Sequence, residues 1–396
     1  MKSKNEMNVL VIFNSLLGVI GGGSRHIVEV VDCWINSHNV DYLISNAGYG
    51  VAKDHLSHNS SSRKKIVTYF VPFDNFRFFF IAYVSRTIVS SILSLKLKRK
   101  YDIVIAPNYL PQNMIPAIFF KRKNSKLVVY FHTTPPYLRK KYLDKMSYMR
   151  RKVSYLNWTL CVSLAKKYFD LMYVFNNDTK QYMISKGIPE NKICLMYNAI
   201  PYSSILSIES TSKEYDAVFL GRIVSNKGIF DLVKIWSSVI KKYPTARLCI
   251  LGNGPDFNKL KLEIDKNNLG NHIVLKGQVE GEIKYRLMKK SRVFLYPSYY
   301  EAQPIVIYEA LACGLPIVAY NLDTYNEFYG DFIQKVPIYD AESMAMIVID
   351  ILSNPLNYAN LAKKGMAYVA KNDWTKIAQL QENEMNKLFM HENQLE

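Results

Sequence analysis

The sequence predicts an α/β protein built from two Rossmann-like domains, each with its own parallel sheet. Short apolar runs alternate with amphipathic stretches, the alternation occurs twice, and a serine-rich segment separates the two occurrences. Apolar runs of this length are typical of strands buried on both faces of a parallel sheet, with helices as the crossovers. The chain length of 396 residues also fits two domains, since a domain averages roughly 150 residues.

The first alternation predicts seven strands. They lie at Val9–Phe13, Asp41–Ser45, Ile66–Val71, Asp102–Ala106, Leu127–Phe131, Leu171–Phe175 and Ile193–Met196. Amphipathic stretches between them predict helices at Arg25–Ser37, Phe78–Lys98, Lys145–Phe169 and Thr179–Lys186. Strands that alternate with helices in this way indicate βαβ units and therefore a parallel sheet.

The segment Pro201–Tyr215 contains five serines and is predicted to be the interdomain linker. The second alternation then predicts strands at Ala217–Leu220, Arg247–Leu251, Ile273–Leu275, Val293–Tyr296 and Ile317–Ala319. Helices are predicted at Ile229–Lys242, Asp256–Asn267, Glu282–Lys290 and Ile305–Ala312, and over most of the tail from Asp340. Asp373 is a suitable N-cap for a last helix that begins at Trp374.

The charge of the chain is uneven. The net charge is +18, and residues 1–200 hold 29 basic and 11 acidic residues, whereas the second half holds 22 of each. A basic half indicates an anionic partner, either nucleic acid or a lipid surface. The five scattered cysteines have no metal or redox spacing. The uncharged stretch Ile103–Phe120 contains three prolines, which argues against a membrane span. We therefore expect a cytoplasmic protein that can attach to a surface.

The first candidate site is the triplet Gly21, Gly22 and Gly23, between the first predicted strand and the first helix. Glycines let backbone amides approach an anion, so this segment is a candidate phosphate loop; the alternative is a tight turn that packs helix on strand. Dinucleotide binding is disfavoured. The third glycine of that fingerprint is missing, and Ser45 stands where an acid would be needed.

The second candidate site is Gly221–Gly228, which follows a predicted strand and opens a helix. Ligands of open α/β sheets bind at such strand ends. Arg222 can fork two phosphate oxygens, and Lys227 can place a point charge beside them. A solvated charged turn is the alternative, and this loop alone does not decide between the two.

The third candidate site contains two carboxylates, Glu301 and Glu309. If the helix begins near Pro304, Glu309 lies two turns further along it, or about 10 Å. The pair can then hold the two ends of an extended polar ligand, because carboxylates accept hydrogen bonds from vicinal hydroxyls. The helix start at Ile305 would favour a phosphate between them. A structural role at the helix start explains Glu301 but not Glu309, which stands in an apolar segment and needs a partner.

The order and spacing of these motifs resemble glycosyltransferase family four, the group one glycosyltransferases. The resemblance rests on Gly221 to Gly228 followed about 80 residues later by Glu301-x7-Glu309-Ala-Leu-Ala-Cys-Gly-Leu-Pro. It implies the GT-B fold, with the two parallel sheets facing a central cleft. An acceptor-binding domain would span residues 1–200 and be joined by a C-terminal helix at 375–396. A nucleotide-sugar domain would span residues 201–374.

The resemblance also implies roles for individual residues. Arg222 and Lys227 match the basic pair on the donor diphosphate, Glu301 the glutamate at the donor sugar, and Glu309 the one that holds the ribose. Other positions matched to the donor site are Gly22, Gly23, His132, Gly277, Val279 and Ile305. Of these, His132 resembles the histidine that faces the transferred sugar, although a core histidine is the structural alternative. After the first glutamate this chain has Ala302-Gln303 where family members usually have glycine, so the motif does not predict the identity of the donor sugar.

The implied reaction is sugar transfer with retention of configuration. It needs the departing diphosphate charge to be stabilised, which Arg222, Lys227 and helix N-termini can do without a metal or other cofactor. Glu301 and His132 complete the candidate catalytic set, and no dedicated general base is assigned. Two other functions compete: a different two-domain sugar-nucleotide enzyme such as an epimerase, and a nucleic-acid-binding module. The latter lacks a recognisable motif, so we expect no nucleic-acid partner.

The basic residues of the first half predict the class of acceptor and the location of the enzyme. The cluster Lys121–Lys152 interleaves cations with aromatics, as interfacial segments on anionic lipid do. For Phe78–Leu97, an ordinary core helix with a solvated flank is favoured. A glycan or lipid-linked acceptor would explain why only this half is basic. We expect a peripheral enzyme on the cytoplasmic face of the inner membrane, in bacterial lipopolysaccharide, O-antigen or capsule synthesis.

Overall fold

The structure is a computed structural model, which describes residues 6–14, 22–56, 61–72, 74, 79–96, 100–133, 148–209 and 212–390. The chain divides into two compact units. Unit 1 comprises Met1–Asn198 and Trp374–Glu396, and unit 2 comprises Ala199–Asp373. Both are α/β units with a parallel sheet, as the sequence predicts.

The described part of unit 1 forms a seven-stranded parallel sheet. Its strands are β1 Asn8–Ile12, β2 Asn39–Ser45, β3 Lys64–Tyr69, β4 Ile103–Ala106, β5 Lys126–Phe131, β6 Leu171–Val174 and β7 Ile193–Leu195. The helices are α1 Gly22–Trp34, α2 Asn46–Leu56, α3 Phe79–Lys96, α4 Pro111–Phe120, α5 Tyr148–Tyr168, α6 Asn177–Ser185 and, from the C-terminus, α15 Trp374–Met390. The strand order is β3-β2-β1-β4-β5-β6-β7.

The helices of unit 1 cover both faces of its sheet. Crossovers between parallel strands are right-handed, so the direction in which successive strands step decides the face on which the helix lies. The steps from β1 to β3 run one way, and the steps from β3 to β6 run the other. Accordingly α3 packs on α4 and α4 on α5, whereas α1 packs on α15. The strand β4, at the centre of the sheet, is apolar throughout, and Ile103 to Ala106 are all fully buried.

The described part of unit 2 forms a six-stranded parallel sheet. Its strands are β8 Tyr215–Leu220, β9 Leu248–Leu251, β10 Ile273–Gly277, β11 Ser291–Tyr296, β12 Ile317–Tyr320 and β13 Ile333–Val336. The helices are α7 Tyr202–Ser207, α8 Ile229–Lys242, α9 Phe257–Lys266, α10 Gly281–Lys289, α11 Ile305–Ala312, α12 Asp323–Phe328, α13 Ala341–Ser353 and α14 Pro355–Val369. The strand order is β10-β9-β8-β11-β12-β13.

Each sheet has a topological switch point, where successive crossovers leave in opposite directions. In unit 1 it lies between β1 and β4, and in unit 2 between β8 and β11. The loops after two such strands diverge and leave a crevice at their carboxyl ends, where open α/β sheets bind ligands. In unit 2 these two loops are Gly221–Gly228 and the segment that leads to Glu301.

The predicted linker Pro201–Tyr215 is wrong in part, because it contains the helix α7, which packs on α11. One reason is that a residue distant in sequence caps the start of α7. Both the backbone N–H and the hydroxyl of Ser203 donate to Asp373 Oδ2, at 2.9 and 3.1 Å. The carboxylate of Asp373 thus satisfies a backbone N–H in the first turn of α7, so part of this serine-rich segment is a capped helix. The sequence prediction also omitted α2, α4 and β13.

Candidate active site

The loop after β8 is pressed against the end of β11. Gly228 has φ 67°, and a Cβ there would lie 1.9 Å from the carbonyl oxygen of Pro297, so only glycine fits. The backbone N–H of Tyr299 donates to the carbonyl of Asn226 at 3.0 Å and ties the two loops together. The tight turn at Gly228 therefore brings Lys227 to the segment that carries Glu301.

The carboxylate of Glu301 is the centre of a small polar cluster. Its Oε1 accepts hydrogen bonds from the hydroxyls of Tyr296, at 2.6 Å, and Ser298, at 2.7 Å. The ammonium of Lys227 forms an ion pair with the same oxygen. The structure thus brings two of the predicted site residues, Lys227 and Glu301, into direct contact at the switch point of unit 2.

The hydrogen bonds of this cluster leave one carboxylate oxygen of Glu301 available to a ligand. All three donors converge on Oε1 of Glu301, and among the described residues no group donates to Oε2. Burial, and then the charge of Glu301, raise the pKa of Tyr296 well above its usual value, so its phenol stays a donor. The carboxylate can accept hydroxyl hydrogen bonds while the lysine offers positive charge to a phosphate.

Arg222 lies apart from this cluster. It is exposed and precedes the fully buried Ile223 in the same loop. Within the described ranges its guanidinium makes no ion pair or hydrogen bond, and the structure does not bring it into contact with Glu301 or Lys227. Its fork of donors remains available to an anion from solvent.

Glu309 lies on α11 and is 3% exposed. Its Oε1 accepts from the ammonium of Lys284, at 2.6 Å, and from the hydroxyl of Tyr285, at 2.8 Å, both on α10. The partner that a carboxylate in this apolar segment requires is thus supplied by the protein itself. The predicted contact between Glu309 and a ribose would have to coexist with this buried ion pair.

The structure adds two functional candidates that the sequence-based reasoning missed, Lys284 and Asp231. Lys284 stands next to Tyr285 and one turn before Met288 on the buried face of α10, so a lysine in an apolar face was the available signal. Asp231, on α8, is 3% exposed and accepts from the hydroxyls of Tyr299 and Tyr320, each at 2.7 Å. It anchors the segment that leads to Glu301.

The remaining predicted donor positions lie at the same edge of the sheet. Gly277 ends β10 with φ 69°, and its carbonyl accepts from the N–H of Gly252 at 2.7 Å. Val279 is half-buried just before α10, which carries Lys284. Ile305 is the first residue of α11, and no side chain of the described residues caps that helix start. The first-turn amides can therefore bind an anion.

In unit 1 the structure places Gly23 against His132. A Cβ on Gly23 would lie 3.0 Å from Cγ and Cδ2 of the imidazole, so glycine permits this close approach between α1 and the residue after β5. Gly22 is exposed and begins α1, whereas Gly21 lies outside the described residues. The two candidate glycines and the histidine, distant in sequence, form one local site.

His132 belongs to a buried aromatic cluster. Its ring stacks on Phe175 with 4.3 Å between centroids, and meets the ring of His26 edge-on at 5.7 Å. Burial lowers the pKa of His132 to about 3, although a backbone hydrogen bond at Pro107 opposes the shift. Burial, together with His132, also lowers the pKa of His26. Both imidazoles are therefore neutral at physiological pH and can accept a hydrogen bond.

Two features are absent from the part of the chain that the structure describes. In those ranges no three His, Cys, Asp or Glu side chains come together in a group that could hold a metal ion. The described helices include none with the length and apolarity needed to cross a bilayer.

Two family models match the chain. The model described as "Glycosyl transferases group 1" matches residues 206–367, and the model described as "Glycosyltransferase Family 4" matches residues 20–203. Together they account for most of the chain, with one model on each unit.

Curated relatives match over shorter stretches. An uncharacterised glycosyltransferase of Methanocaldococcus jannaschii is 28% identical over 252 residues, which are 59% of each chain. The poly(glycerol-phosphate) alpha-glucosyltransferase of Bacillus subtilis is 36% identical over 112 residues, 28% of this chain and 16% of that one. The alpha-monoglucosyldiacylglycerol synthase of Acholeplasma laidlawii is 27% identical over 211 residues, 52% of each. This chain thus spans less than two thirds of these relatives.

Solved structures match over nearly the whole chain. HepE of Anabaena in complex with UDP and glucose superposes with a TM-score of 0.71 at 16% identity, over 96% of this chain and 100% of that one. TarM of S. aureus, in a complex that includes UDP, has a TM-score of 0.73 at 12% identity, over 96% and 100%. At these identities the likeness establishes the fold, which is GT-B.

Proposed function

Since the chain belongs to the group one glycosyltransferases and has the GT-B fold, we propose that it transfers a sugar from a nucleotide-diphosphate sugar. The acceptor is a glycan or a lipid-linked glycan. The reaction keeps the configuration of the anomeric carbon and uses no metal. The proposal assigns donor binding to unit 2 and acceptor binding to unit 1.

The observation that carries this proposal is the contact of Lys227 with Glu301 at the switch point of unit 2. A nucleotide sugar presents a diphosphate beside a ring of hydroxyls, so its site needs positive charge next to a hydrogen-bond acceptor. The cluster supplies a lysine, a carboxylate with an oxygen that no described group occupies, and the uncapped start of α11. This combination fits a phosphorylated sugar better than either an anion or a sugar alone.

The chemistry follows from the charge that develops on the leaving group. The bond between the anomeric carbon and the diphosphate oxygen breaks, and the acceptor oxygen bonds to that carbon from the same face. The acceptor's proton passes to the departing phosphate. Lys227, Arg222 and the α11 amides stabilise the negative charge that accumulates there, which is the largest single contribution available without a cofactor. Glu301 orients the sugar, and the neutral His132 accepts one of its hydroxyl hydrogen bonds.

The proposed role of Glu309 is to hold the ribose of the nucleotide. In the structure its Oε1 is occupied by Lys284 and Tyr285. Such partners hold the carboxylate in one orientation, so it loses little conformational entropy when it binds a diol. The diol would bind through the other carboxylate oxygen, Oε2.

The proposed acceptor and location follow from the relatives and from charge. The relatives include transferases named for poly(glycerol-phosphate) and for a glucosylated diacylglycerol. The positive excess of residues 1–200 favours an anionic surface over a neutral soluble acceptor. We assign the enzyme to the cytoplasmic face of a bacterial inner membrane, in the synthesis of a surface polysaccharide such as lipopolysaccharide, O-antigen or capsule.

The test is a nucleotide screen. UDP, GDP and ADP are added to the purified protein, and the shift in melting temperature identifies the base. Glu309→Ala is expected to weaken binding of the preferred nucleotide about tenfold or more, because the ribose loses its carboxylate acceptor. Glu263→Ala, a glutamate on α9 outside the cluster, is the matched control.

The outcomes separate the proposal from its alternatives. Unchanged nucleotide affinity in Glu309→Ala would contradict the ribose role. If no nucleotide stabilises the wild-type protein, the proposed donor class is wrong. Release of an isomerised free sugar without an acceptor would indicate an epimerase instead, and loss of transfer in EDTA would show that a metal takes part.

A further inference from the structure

Helix α3 exposes an apolar side and buries three polar side chains. Its outward residues Ile81, Val84, Ile88 and Ile92, here named the α3 stripe, recur every three or four positions on one side of the helix. Val84 is 57% exposed and Ile88 54%. The opposite side, made by Ala82, Arg86, Ser90 and Ser94, is fully buried. A helix on a soluble protein normally has the reverse arrangement.

The polar inner side holds α3 in this orientation. The guanidinium of Arg86 donates to Asp74 at 2.6 Å and to the carbonyl of Asn14 at 2.8 Å. The amide of Asn14 donates to the Ser90 hydroxyl at 2.8 Å. Rotating α3 to bury the stripe would break this buried network and leave Arg86 without its carboxylate, which is strongly unfavourable. The exposed stripe is therefore a stable property of the fold.

The sequence favoured an ordinary core helix at Phe78–Leu97, and the structure contradicts that prediction. Periodicity shows that a helix has an apolar side but not the direction in which that side faces. Here Ser90 accepts from the Asn14 amide and Arg86 donates to the Asn14 carbonyl, while only Val89 and Leu93 among the described, partly buried apolar residues of α3 pack against the core.

Acidic residues are scarce in the described helices around the stripe. No Asp or Glu occurs in α3, α4 or α5, whereas α6, whose Met183 packs into the same core, contains Asp178. On α5, Val153, Leu156 and Leu160 are also exposed, beside the exposed Lys152 and Lys166. Arg122 donates to the carbonyl of Ser94 at the end of α3. Arg139, Lys140, Lys141 and Lys145 of the predicted basic cluster lie outside the described residues.

We propose that the α3 stripe inserts into the interfacial region of an anionic lipid bilayer, with α3 lying parallel to the surface. The inference deepens the proposed function, because it names the element that carries the enzyme to a membrane. An apolar helix side among cations matches a bilayer with anionic headgroups on both counts. A second copy of this chain matches poorly, since it would bring the same positive charge to the contact.

The first experiment measures binding of the full chain to sedimenting vesicles. Vesicles of phosphatidylcholine alone are compared with vesicles that also contain phosphatidylglycerol, at low and high salt. The variant Val84→Ser/Ile88→Ser should bind anionic vesicles about tenfold more weakly or worse, because interfacial binding scales with the apolar area inserted. The matched control Leu262→Ser/Met346→Ser removes exposed apolar side chains from α9 and α13 of unit 2 and should bind like wild type.

The second experiment locates the stripe directly. All four native tryptophans are buried, so a new tryptophan at position 88 would be the only exposed one. Brominated lipids should quench the fluorescence of Ile88→Trp in the presence of anionic vesicles and leave that of Leu262→Trp unchanged. Quenching depends on contact with acyl chains, which binding through charge alone does not provide.

The results distinguish this inference from the proposed activity, because neither experiment requires sugar transfer. Equal vesicle binding by Val84→Ser/Ile88→Ser and wild type, or no quenching at position 88, would overturn the insertion. A wild-type dimer that the serine variant abolishes, without vesicle binding, would make a second copy the occupant and would also overturn it. Vesicle binding that persists at high salt in wild type and is lost in the variant would support it.

Discussion

The two units share one architecture but differ in the chemistry of their candidate sites. In unit 2 the loops at the switch point bring together charged groups, with Lys227 on Glu301, and a second pair, Lys284 on Glu309, lies nearby in sequence on α10 and α11. In unit 1 the candidate site is a neutral group of rings, in which His132 meets His26 and Phe175. The same fold therefore supports a charged site in one unit and an uncharged one in the other.

The net charges of the two halves of the chain do not follow this contrast between the sites. Residues 1–200 carry the whole excess of +18, whereas the half that contains the charged clusters is balanced. The net charge of a half therefore does not indicate which unit holds the charged clusters. Net charge reports on the surface that meets a partner, and burial and pairing decide the chemistry of the site.

The largest expected effect tests the buried pair of unit 2. Lys284→Met removes the cation from Glu309 and leaves a carboxylate that is 3% exposed without its counter-charge. Breaking such a pair by removing one partner costs about 3–5 kcal/mol. We expect a fall of this size in the free energy of unfolding, measured by urea denaturation of unit 2's transition.

The control for this prediction is Lys234→Met. Lys234 also pairs with a buried carboxylate, that of Asp231, but its own side chain is 70% exposed. Its loss should cost less than about 1 kcal/mol, as for solvent-exposed pairs. If the two variants had equal free energies of unfolding, the buried pair of Lys284 with Glu309 would contribute no more to stability than a solvent-exposed pair.

The next effect concerns catalysis at Glu301. In Lys227→Ala, Glu301 keeps the hydroxyls of Tyr296 and Ser298, so the fold should persist. Turnover should fall by about 10²–10³-fold, because a charge that stabilises the leaving group acts mainly in the transition state. Steady-state kinetics with the preferred donor measure this, with Lys241→Ala on the far end of α8 as the control. A near-normal turnover would rule out the leaving-group role.

The smallest effect tests the neutral cluster of unit 1. Since burial holds the pKa of His132 at about 3, below its unfolded value, the unfolded chain takes up a proton that the folded chain does not. Stability is then lost as pH falls below the unfolded pKa, by about 1.4 kcal/mol between about pH 7.5 and about pH 5.5 for each such histidine. His132→Phe should reduce the loss by that amount, measured as urea unfolding at the two pH values. An identical pH dependence in wild type and variant would show that His132 takes up a proton in the folded protein as readily as in the unfolded chain.

Much of the fold could be predicted because its signals are local. The strand Ile103–Ala106 is a short apolar run, and α8 shows its amphipathic period within a single segment. Segments without a clear apolar pattern were missed: α4 contains Pro116, which is typical of a helix break, and β13 has the polar residues Gln334 and Lys335 at its centre. Capping by Asp373 converted part of the predicted linker into α7, and that partner is 170 residues away in sequence.

The candidate site shows the same division. Glu301 and Lys227 could be proposed together because each lies in a segment that follows a predicted strand, and the motif spacing marks both. Lys284 and Asp231 could not be identified, since a lysine or aspartate on a helix usually faces water, and only the packing of α10 and α8 turns these two inward. The sequence pattern likewise does not show that the α3 stripe faces outward.

The sequence by itself determined the alternation of strands and helices, the glycine at the tight turn of position 228, the family motif and the uneven charge. These properties depend on neighbours within a few residues, where periodicity, backbone freedom and composition act. Only the tertiary structure decided which carboxylate is paired, which histidines are kept neutral and which side of α3 faces outward. Those outcomes depend on burial and on partners from distant segments, and the free energy of a charge or an apolar side chain is set by those surroundings rather than by its place in the chain.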